Sequence, residues 1–141
     1  MGRYNRIDLK HSGHCEEIVL DASAKPGMRI QLASDGRGTP AGTQGLLGPV
    51  RILQEDALQG KTVDDEYAAG DIGFVIEPKA GDVNAVLLKA GQSVDVGGFL
   101  IVDSDGKYIA ATGTPAQTDY QALEVWADDG TDVLIRAKRI S

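Results

Sequence analysis

The sequence predicts an all-β protein, a small antiparallel barrel or sandwich with long loops. The first observation is a hairpin signal in residues 99–111, where two apolar runs flank the tetrad Asp103-Ser104-Asp105-Gly106. Glycine supplies the positive φ that a tight turn needs, and aspartate caps its own backbone. The second is that about eight to ten short apolar segments follow one another between turn residues, which is typical of hairpin-connected strands. The third is composition, because 18 glycines against 5% aromatic residues indicate many turns around an aliphatic core.

Two further hairpins complete the predicted sheet. One joins residues 72–77 to residues 83–89, and the last joins residues 122–127 to residues 131–140. The last reversal contains an Asp-Gly pair, which favours a tight turn. Only residues 63–69 have the pattern of a helical turn or two. Beyond this rhythm of hairpins we expect no internal repeat of fixed period.

Length, charge and cysteine content restrict the class of protein. The 141 residues fit one domain, and the net charge of −7 argues against nucleic-acid binding, since neutralising phosphates needs a basic surface. The single cysteine, Cys15, cannot form an internal disulfide. No apolar run approaches the ~18 residues of a membrane span, and residues 1–10 lack the apolar core of a signal peptide. We therefore expect a protein of a reducing, aqueous compartment that binds neither nucleic acid nor membrane.

The predicted organisation is an N-terminal arm, residues 1–15, followed by a single β-rich domain, residues 16–141. The arm is mostly polar, and Arg3, Arg6 and Lys10 make its first part basic. A basic terminus on an acidic body can steer the protein towards an acidic partner, although it can equally be a solvated end.

The large apolar residues of the arm past Met1 are Tyr4, Ile7 and Leu9. In an extended arm Ile7 and Leu9 would lie on one face. So short a segment buries too little to offset the cost of ordering its backbone. We expect residues 1–10 to be unstructured in the free protein and to order on a partner's sheet edge. The alternative is that the arm packs as an edge strand on its own domain.

The arm also contains the only candidates for a metal site, His11, His14 and Cys15. Imidazole and thiolate suit zinc, but a closed site takes four ligands, and this spacing matches no usual pattern. Nucleophilic catalysis needs a base held rigidly against the nucleophile, and both histidines lie in the arm. We expect no metal, no cofactor, no catalytic residues and no enzyme activity.

The single tryptophan, Trp126, lies in the predicted strand at residues 122–127. Strict alternation puts Leu123 and Val125 on one face and Glu124 and Trp126 on the other. Trp126 is then either covered by the closure of a barrel or exposed as an interface anchor. The sequence leaves both possibilities open.

Several short glycine-based segments, in this order, resemble the head decoration proteins (capsid cement proteins) of tailed bacteriophages. These segments are Tyr67-Ala68-Ala69-Gly70-Asp71, Leu87-Leu88-Lys89-Ala90-Gly91 followed by Val94 and Gly97, Asp103-Ser104-Asp105-Gly106-Lys107, and Ala122-Leu123-Glu124. The resemblance runs from about Met28 to the C-terminus. It implies a barrel-like or tulip-like β domain that attaches to the outside of an expanded icosahedral shell, commonly as trimers and sometimes as dimers. It carries over no catalytic residue and no cofactor, and the segment before Glu16 matches no pattern of the family.

Residues and resemblance together predict a virion structural protein that binds and stabilises the phage capsid from its outer surface. Its expected partners are the major capsid protein and further copies of itself, with a homo-trimer favoured over a dimer, and it is made in the cytoplasm of the bacterial host. The candidate capsid-binding residues are Arg3, Tyr4, Arg6, Ile7, Leu9, Lys10 and Trp126. The alternatives are a receptor- or carbohydrate-binding module of the head surface and, third, a small metal-dependent β-barrel enzyme. One Trp, four Tyr and two Phe are few for stacking on sugars.

Overall fold

The computed structural model describes residues 4, 6–10, 14–40, 50–112 and 118–140, and within them the chain is all-β, which confirms the predicted fold class. The strands, in chain order, are β1 (Asp8–Lys10), β2 (His14–Val19), β3 (Arg29–Leu32), β4 (Gly38–Pro40), β5 (Arg51–Gln54), β6 (Ile72–Glu77), β7 (Val83–Leu88), β8 (Phe99–Val102), β9 (Tyr108–Ala110), β10 (Tyr120–Ala122) and β11 (Val133–Arg139). Each is short, because a turn residue follows every few apolar residues.

The described residues contain no α-helix and a single 3₁₀ turn, Ala57–Gln59. The helical segment predicted at residues 63–69 is wrong. Tyr67 instead forms an antiparallel bridge with Ala24, and its hydroxyl donates to the carbonyl of Gln54 (2.9 Å) in the interior. These long-range contacts, rather than local propensity, decide the conformation of this segment.

The strands form two units of identical strand order. The first unit, residues 14–77, has the order β2-β6-β5-β3-β4, and the second unit, residues 83–139, has the order β7-β11-β10-β8-β9. Neighbours within each order are antiparallel. A parallel contact then joins the first chain segment to the last strand, Leu20 to Gly38 in the first unit and Leu88 to Tyr108 in the second. The second unit is thus a closed five-stranded barrel. The first unit has the same strand order, and a single bridge closes it.

The two units are a structural repeat, because their registers also match pair by pair. The equivalent cross-strand pairs, with the first unit's pair given first, are Val19–Ile72 and Leu87–Leu134, Glu17–Phe74 and Ala85–Arg136, Leu53–Val75 and Ala122–Ala137, Arg29–Ile52 and Phe99–Gln121, and Leu32–Gly38 and Val102–Tyr108. Every strand of one unit therefore has one counterpart in the other.

The turns between β3 and β4 and between β8 and β9 show the repeat most directly. Both contain Ser-Asp-Gly, and their glycines, Gly36 and Gly106, have φ of 82° and 85°. Asp35 and Asp105 each accept a hydrogen bond from the backbone two residues on, at 3.0 and 3.1 Å. The expectation of no internal repeat is therefore wrong. The turn chemistry is retained, while most strand side chains differ.

A contact between residues 27–29 and the second unit joins the two units into one body. The N–H of Leu87 donates to the carbonyl of Gly27 (3.0 Å), and the N–H of Arg29 donates to the carbonyl of Gly106 (2.9 Å). The buried guanidinium of Arg29 also pairs with Asp119 (2.8 Å). A single cluster of buried apolar side chains accordingly runs through both units.

Among the predicted hairpins, the central one is confirmed, since β8 and β9 pair across the turn that ends at Gly106. The hairpin predicted from residues 72–77 and 83–89 is wrong: these segments are β6 and β7, which belong to different units. The turn between them carries the chain from the first unit to the second. The last hairpin pairs β11 with β10, which shares only Ala122 with the predicted segment, residues 122–127.

Where the structure describes the predicted N-terminal arm, it agrees with the alternative, an edge strand on the chain's own domain, and not with an unstructured segment. β1 is an edge strand on β7, with Asp8 opposite Asn84, and β2 begins at His14, inside the segment predicted as arm. Ile7, just before β1, is fully buried. The reason is that this one apolar side chain and the pairing with β7 together offset the cost of ordering the segment.

Candidate binding surfaces

The candidate capsid-binding residues at the N-terminus divide into buried and exposed ones. Ile7 is held in place by its N–H, which donates to Glu55 Oε1 (2.8 Å), and by its carbonyl, which accepts from the N–H of Ala85 (2.8 Å). Arg6 is exposed and Leu9 is 36% exposed. The expectation that Ile7 and Leu9 share one face is wrong, because the register shifts within β1. Among the N-terminal candidates whose side chains the structure describes, Arg6 and Leu9 are therefore the exposed ones.

The other N-terminal candidates are Tyr4, Lys10 and Arg3, and each lies in a different place. Tyr4 is half-buried and its hydroxyl donates to Glu124 Oε2, which also accepts from the N–H of Arg136 (2.7 Å). Lys10 ends β1. Arg3 lies outside the described residues. The structure thus brings Tyr4 to the second unit rather than to the exposed side of β1.

Trp126 is half-buried and packs against the core, and its backbone bridges Val94. β10 itself ends earlier, at Ala122. Val125 is exposed, whereas Trp126 is partly covered, so of the two possibilities that the sequence left open for Trp126 the structure favours cover.

An open pocket of 280 Å³ lies beside Trp126, and its mixed lining includes apolar side chains, one lysine and three aspartates. Burial raises the pKa of Asp132, one of its lining residues, but hydrogen bonds from Lys107 and from the N–H of Ala90 more than offset this and hold the pKa below its usual value. The ammonium of Lys107 lies 2.8 Å from Asp132. The charge of this carboxylate is thus already balanced within the protein.

The residues considered as metal ligands lie only partly in the described chain. Cys15 is exposed in β2, and the partial desolvation of its thiol together with the nearby charge of Asp8 raises its pKa. His11 lies outside the described residues. Within the part of the chain that the structure describes, no three His, Cys, Asp or Glu side chains are grouped to hold a metal ion. Nor does any helix in that part have the length and apolarity to cross a membrane.

Sequence reasoning missed two exposed apolar surfaces. Val19 and Ile72 are cross-strand neighbours at one end of the first unit and are 38% and 46% exposed. Val96, at a corner of the second unit, is 64% exposed. A comparison of the two Ser-Asp-Gly turns would have aligned the units and directed attention to these positions.

Comparisons with known proteins find likenesses both in sequence and in structure. No protein-family model matches the chain. Two dihydroxy-acid dehydratases, from Bifidobacterium longum (strain NCC 2705) and from Bifidobacterium longum subsp. infantis, are 28% and 27% identical to it over 122 residues. The alignment covers 81% of this chain but 18% of each dehydratase, so the chain spans less than a fifth of their length.

One structural likeness is to the N-terminal base of the head fibre protein gp8.5 of bacteriophage phi29. The TM-score is 0.56 at 15% sequence identity, and the superposition covers 92% of this chain and 99% of the phi29 chain. The likeness extends over both units and establishes a shared fold.

Proposed function

We propose that this chain is a structural protein of a phage head that binds the outer surface of the capsid and stabilises the shell of major capsid protein. The observation that carries the proposal is the match to the base of the phi29 head fibre, which covers 92% of this chain and 99% of that one. A match of that extent means that the two β folds correspond over almost their full length. It agrees with the resemblance of the glycine-based segments to capsid decoration proteins.

The stabilisation would follow from linkage. A protein that binds the assembled shell but not its separated subunits stabilises the shell by mass action. Many copies that bridge neighbouring capsomers add avidity, because each later contact becomes effectively intramolecular. The protein then works on the virion, at the outer surface of the capsid, with the major capsid protein as its partner and further copies of itself beside it.

We propose the exposed side of β1 as the capsid contact. Leu9 in β1 and Arg6 just before the strand are both exposed, and they supply an apolar side chain and a positive charge close to each other in the chain. A positive segment on a body with a net charge of −7 favours an acidic capsid surface and makes the attachment sensitive to salt. Ile7 contributes indirectly, because its burial fixes β1.

The test is co-sedimentation of the purified chain with DNA-filled heads and with unexpanded shells. We expect saturable binding to filled heads only. The variant Arg6→Glu should weaken it by about tenfold, the size expected for reversing a rim charge. Lys79→Glu, which makes the same charge change at an exposed lysine in the turn after β6, is the matched control and should bind normally.

Two results would contradict this proposal. If the chain binds neither filled heads nor unexpanded shells, the proposed function is wrong. If it binds filled heads and Arg6→Glu binds as tightly as Lys79→Glu, the function stands but the contact lies elsewhere.

The sequence match to dihydroxy-acid dehydratases favours a second candidate, a β domain that belongs to an enzyme of that kind. Since the match covers 18% of each dehydratase, the chain would supply only part of such an enzyme. An assay of the purified chain for loss of water from a dihydroxy acid separates the candidates. The capsid proposal predicts no turnover.

A further inference from the structure

The contact between the two units predicts a second contact, because each of its two sides has a counterpart elsewhere in the chain. On one side is a corner of the first unit, in which Gly27 offers a carbonyl and Arg29 an N–H. On the other side is a receiving surface of the second unit, in which the N–H of Leu87 and the carbonyl of Gly106 complete the two hydrogen bonds. The side chain of Leu134 lies against Gly27, so close that a Cβ on Gly27 would be 2.6 Å from Leu134 Cδ2.

The repeat places the same receiving surface on the first unit. The counterparts of Leu87 and Leu134 are Val19 and Ile72, and the counterpart of Gly106 is Gly36. Whereas Leu87 and Leu134 are buried, Val19, Ile72 and Gly36 are exposed. This surface is therefore formed in the first unit but left uncovered by the described chain.

The backbone of Val19 is also oriented to receive a partner. The N–H of Leu20 donates to Asp71 within its own sheet (2.9 Å). Since successive N–H groups of a strand point to opposite sides, the N–H of Val19 points to the open edge. The equivalent N–H, that of Leu87, donates to Gly27. Among the described residues, the N–H of Val19 makes no hydrogen bond to backbone outside its own sheet.

The repeat likewise places the same corner on the second unit. The counterparts of Pro26, Gly27 and Arg29 are Val96, Gly97 and Phe99. Pro26 and Gly27 are both buried, and Gly27 lies against Leu87 and Leu134, but Val96 is 64% exposed. Gly97 has the same backbone as Gly27, with φ of 88° against 93°, yet the nearest atom to a Cβ there is 3.8 Å away.

We propose that the chain repeats its internal contact between copies: the Val96–Gly97 corner of one copy binds the Val19–Ile72 surface of the next. The N–H of Val19 then donates to the carbonyl of Gly97, and the N–H of Phe99 donates to the carbonyl of Gly36. Val96 packs on Val19 and Ile72, as the first unit's corner packs on Leu87 and Leu134. Gly97 O already accepts from Gln121 Nε2 (3.0 Å), and a carbonyl has a second lone pair for Val19.

The occupant is a second copy of this chain because the chain itself supplies both halves of the contact. Corner and surface lie on different units, so each copy can give one contact and receive one. Such a head-to-tail interface closes into a ring or grows into a filament. A ring covers every exposed corner and surface, and this assembly needs no capsid.

The proposal is tested by sedimentation velocity of the full chain and of two variants. At about 100 μM, where an interface of micromolar affinity is largely formed, we expect the wild-type protein to be a closed oligomer of the 14.9 kDa chain. Val96→Asp disables the corner, and Val19→Asp disables the surface. Because a carboxylate must lose its water in a contact formed by apolar side chains, each variant should be a monomer. Ala80→Asp is the control for the added charge, since Ala80 is exposed in the turn after β6, at the end of that strand opposite Ile72, and it should assemble normally.

Mixing the two variants gives the decisive result. Val19→Asp keeps an intact corner and Val96→Asp keeps an intact surface, so an equimolar mixture should form a heterodimer and nothing larger. Its formation also shows that both variants are folded. A monomeric wild-type protein at this concentration, assembled variants, or variants that stay monomeric when mixed would each overturn the proposal.

Discussion

The two units have the same strands, order and register, but different side chains fill them. At the closing contact the second unit has Tyr108, whereas the first has Gly38. A Cβ on Gly38 would lie 2.5 Å from Ile18 Cδ1, so the aliphatic side chains of the first unit already occupy the space that the tyrosine takes in the second. The same arrangement of strands therefore accommodates two different sets of core side chains, provided that each set fills the interior.

The polar pairs at the same end of the two units differ in the same way. In the second unit the hydroxyl of Tyr120 donates to Asn84 Oδ1 (2.6 Å) in the interior. At the equivalent positions of the first unit, Arg51 donates to Glu16 (2.6 Å), and this ion pair is partly exposed. The second unit thus has a neutral hydrogen-bonded pair in its interior, whereas the first unit has a charged pair near its surface. A buried charge is costly to desolvate, which explains why the ion pair lies where water reaches it.

The largest difference in stability is expected between the two equivalent glycines of the corners, Gly27, which the second unit covers, and Gly97, which is open. Gly27→Ala should destabilise the protein by about 4 kcal/mol, since a left-handed backbone costs an L side chain about 1–2 kcal/mol and overpacking about 1–3 kcal/mol more. Gly97→Ala should cost only the backbone term of about 1–2 kcal/mol. Urea unfolding of both in the Val19→Asp background measures the difference without a contribution from association. Equal losses would mean that the two corners are packed alike.

A smaller effect is expected from β1, which covers an edge of the second unit only. Ile7→Ala should cost about 3 kcal/mol, because it leaves a cavity under the strand. Leu9→Ala should cost less than about 0.5 kcal/mol, since Leu9 is partly exposed. Thermal unfolding of the two variants makes this comparison. A loss below about 1 kcal/mol for Ile7→Ala would restore the unstructured arm expected from the sequence.

The smallest difference is expected between the two polar pairs. Tyr120→Phe leaves the buried amide of Asn84 without its donor and should cost about 2 kcal/mol. The Nδ2 of the same amide already has no hydrogen-bond partner among the described residues. Glu16→Gln in the first unit should cost less than about 1 kcal/mol, because water solvates what remains of the pair. Denaturant midpoints at constant slope give both values, and a larger loss for Glu16→Gln would reverse the comparison.

The sequence predicted what turn chemistry determines and missed what long-range contacts determine. The β8–β9 hairpin was predictable because Gly106 and its neighbouring aspartates specify the turn locally. The separation of β6 from β7 was not, because no local signal shows that the turn between them leads into another sheet. The repeat was present in the sequence as two Ser-Asp-Gly turns. It was hidden elsewhere by exchanges such as Gly38 for Tyr108.

The candidate site was predictable to a lesser extent. Arg6 and Leu9 were identified from charge and alternation, and both are exposed. Ile7 has the same local pattern as Leu9, but a shift of register within β1 buries it. The surface of Val19 and Ile72 could not be predicted from either strand alone, because it is recognised only by comparison with the covered counterpart in the second unit.

The central claim is that the contact made once within the chain is made again between copies. Residue-resolved hydrogen exchange of backbone amides, in the wild-type protein and in Val96→Asp, tests it most directly. The amides of Leu87 and Arg29 should be protected in both proteins, because their acceptors lie in the same chain. The amides of Val19 and Phe99 should be protected in the wild-type oligomer and exchange freely in the variant. Free exchange of Val19 and Phe99 in both proteins, or equal protection in both, would contradict the claim.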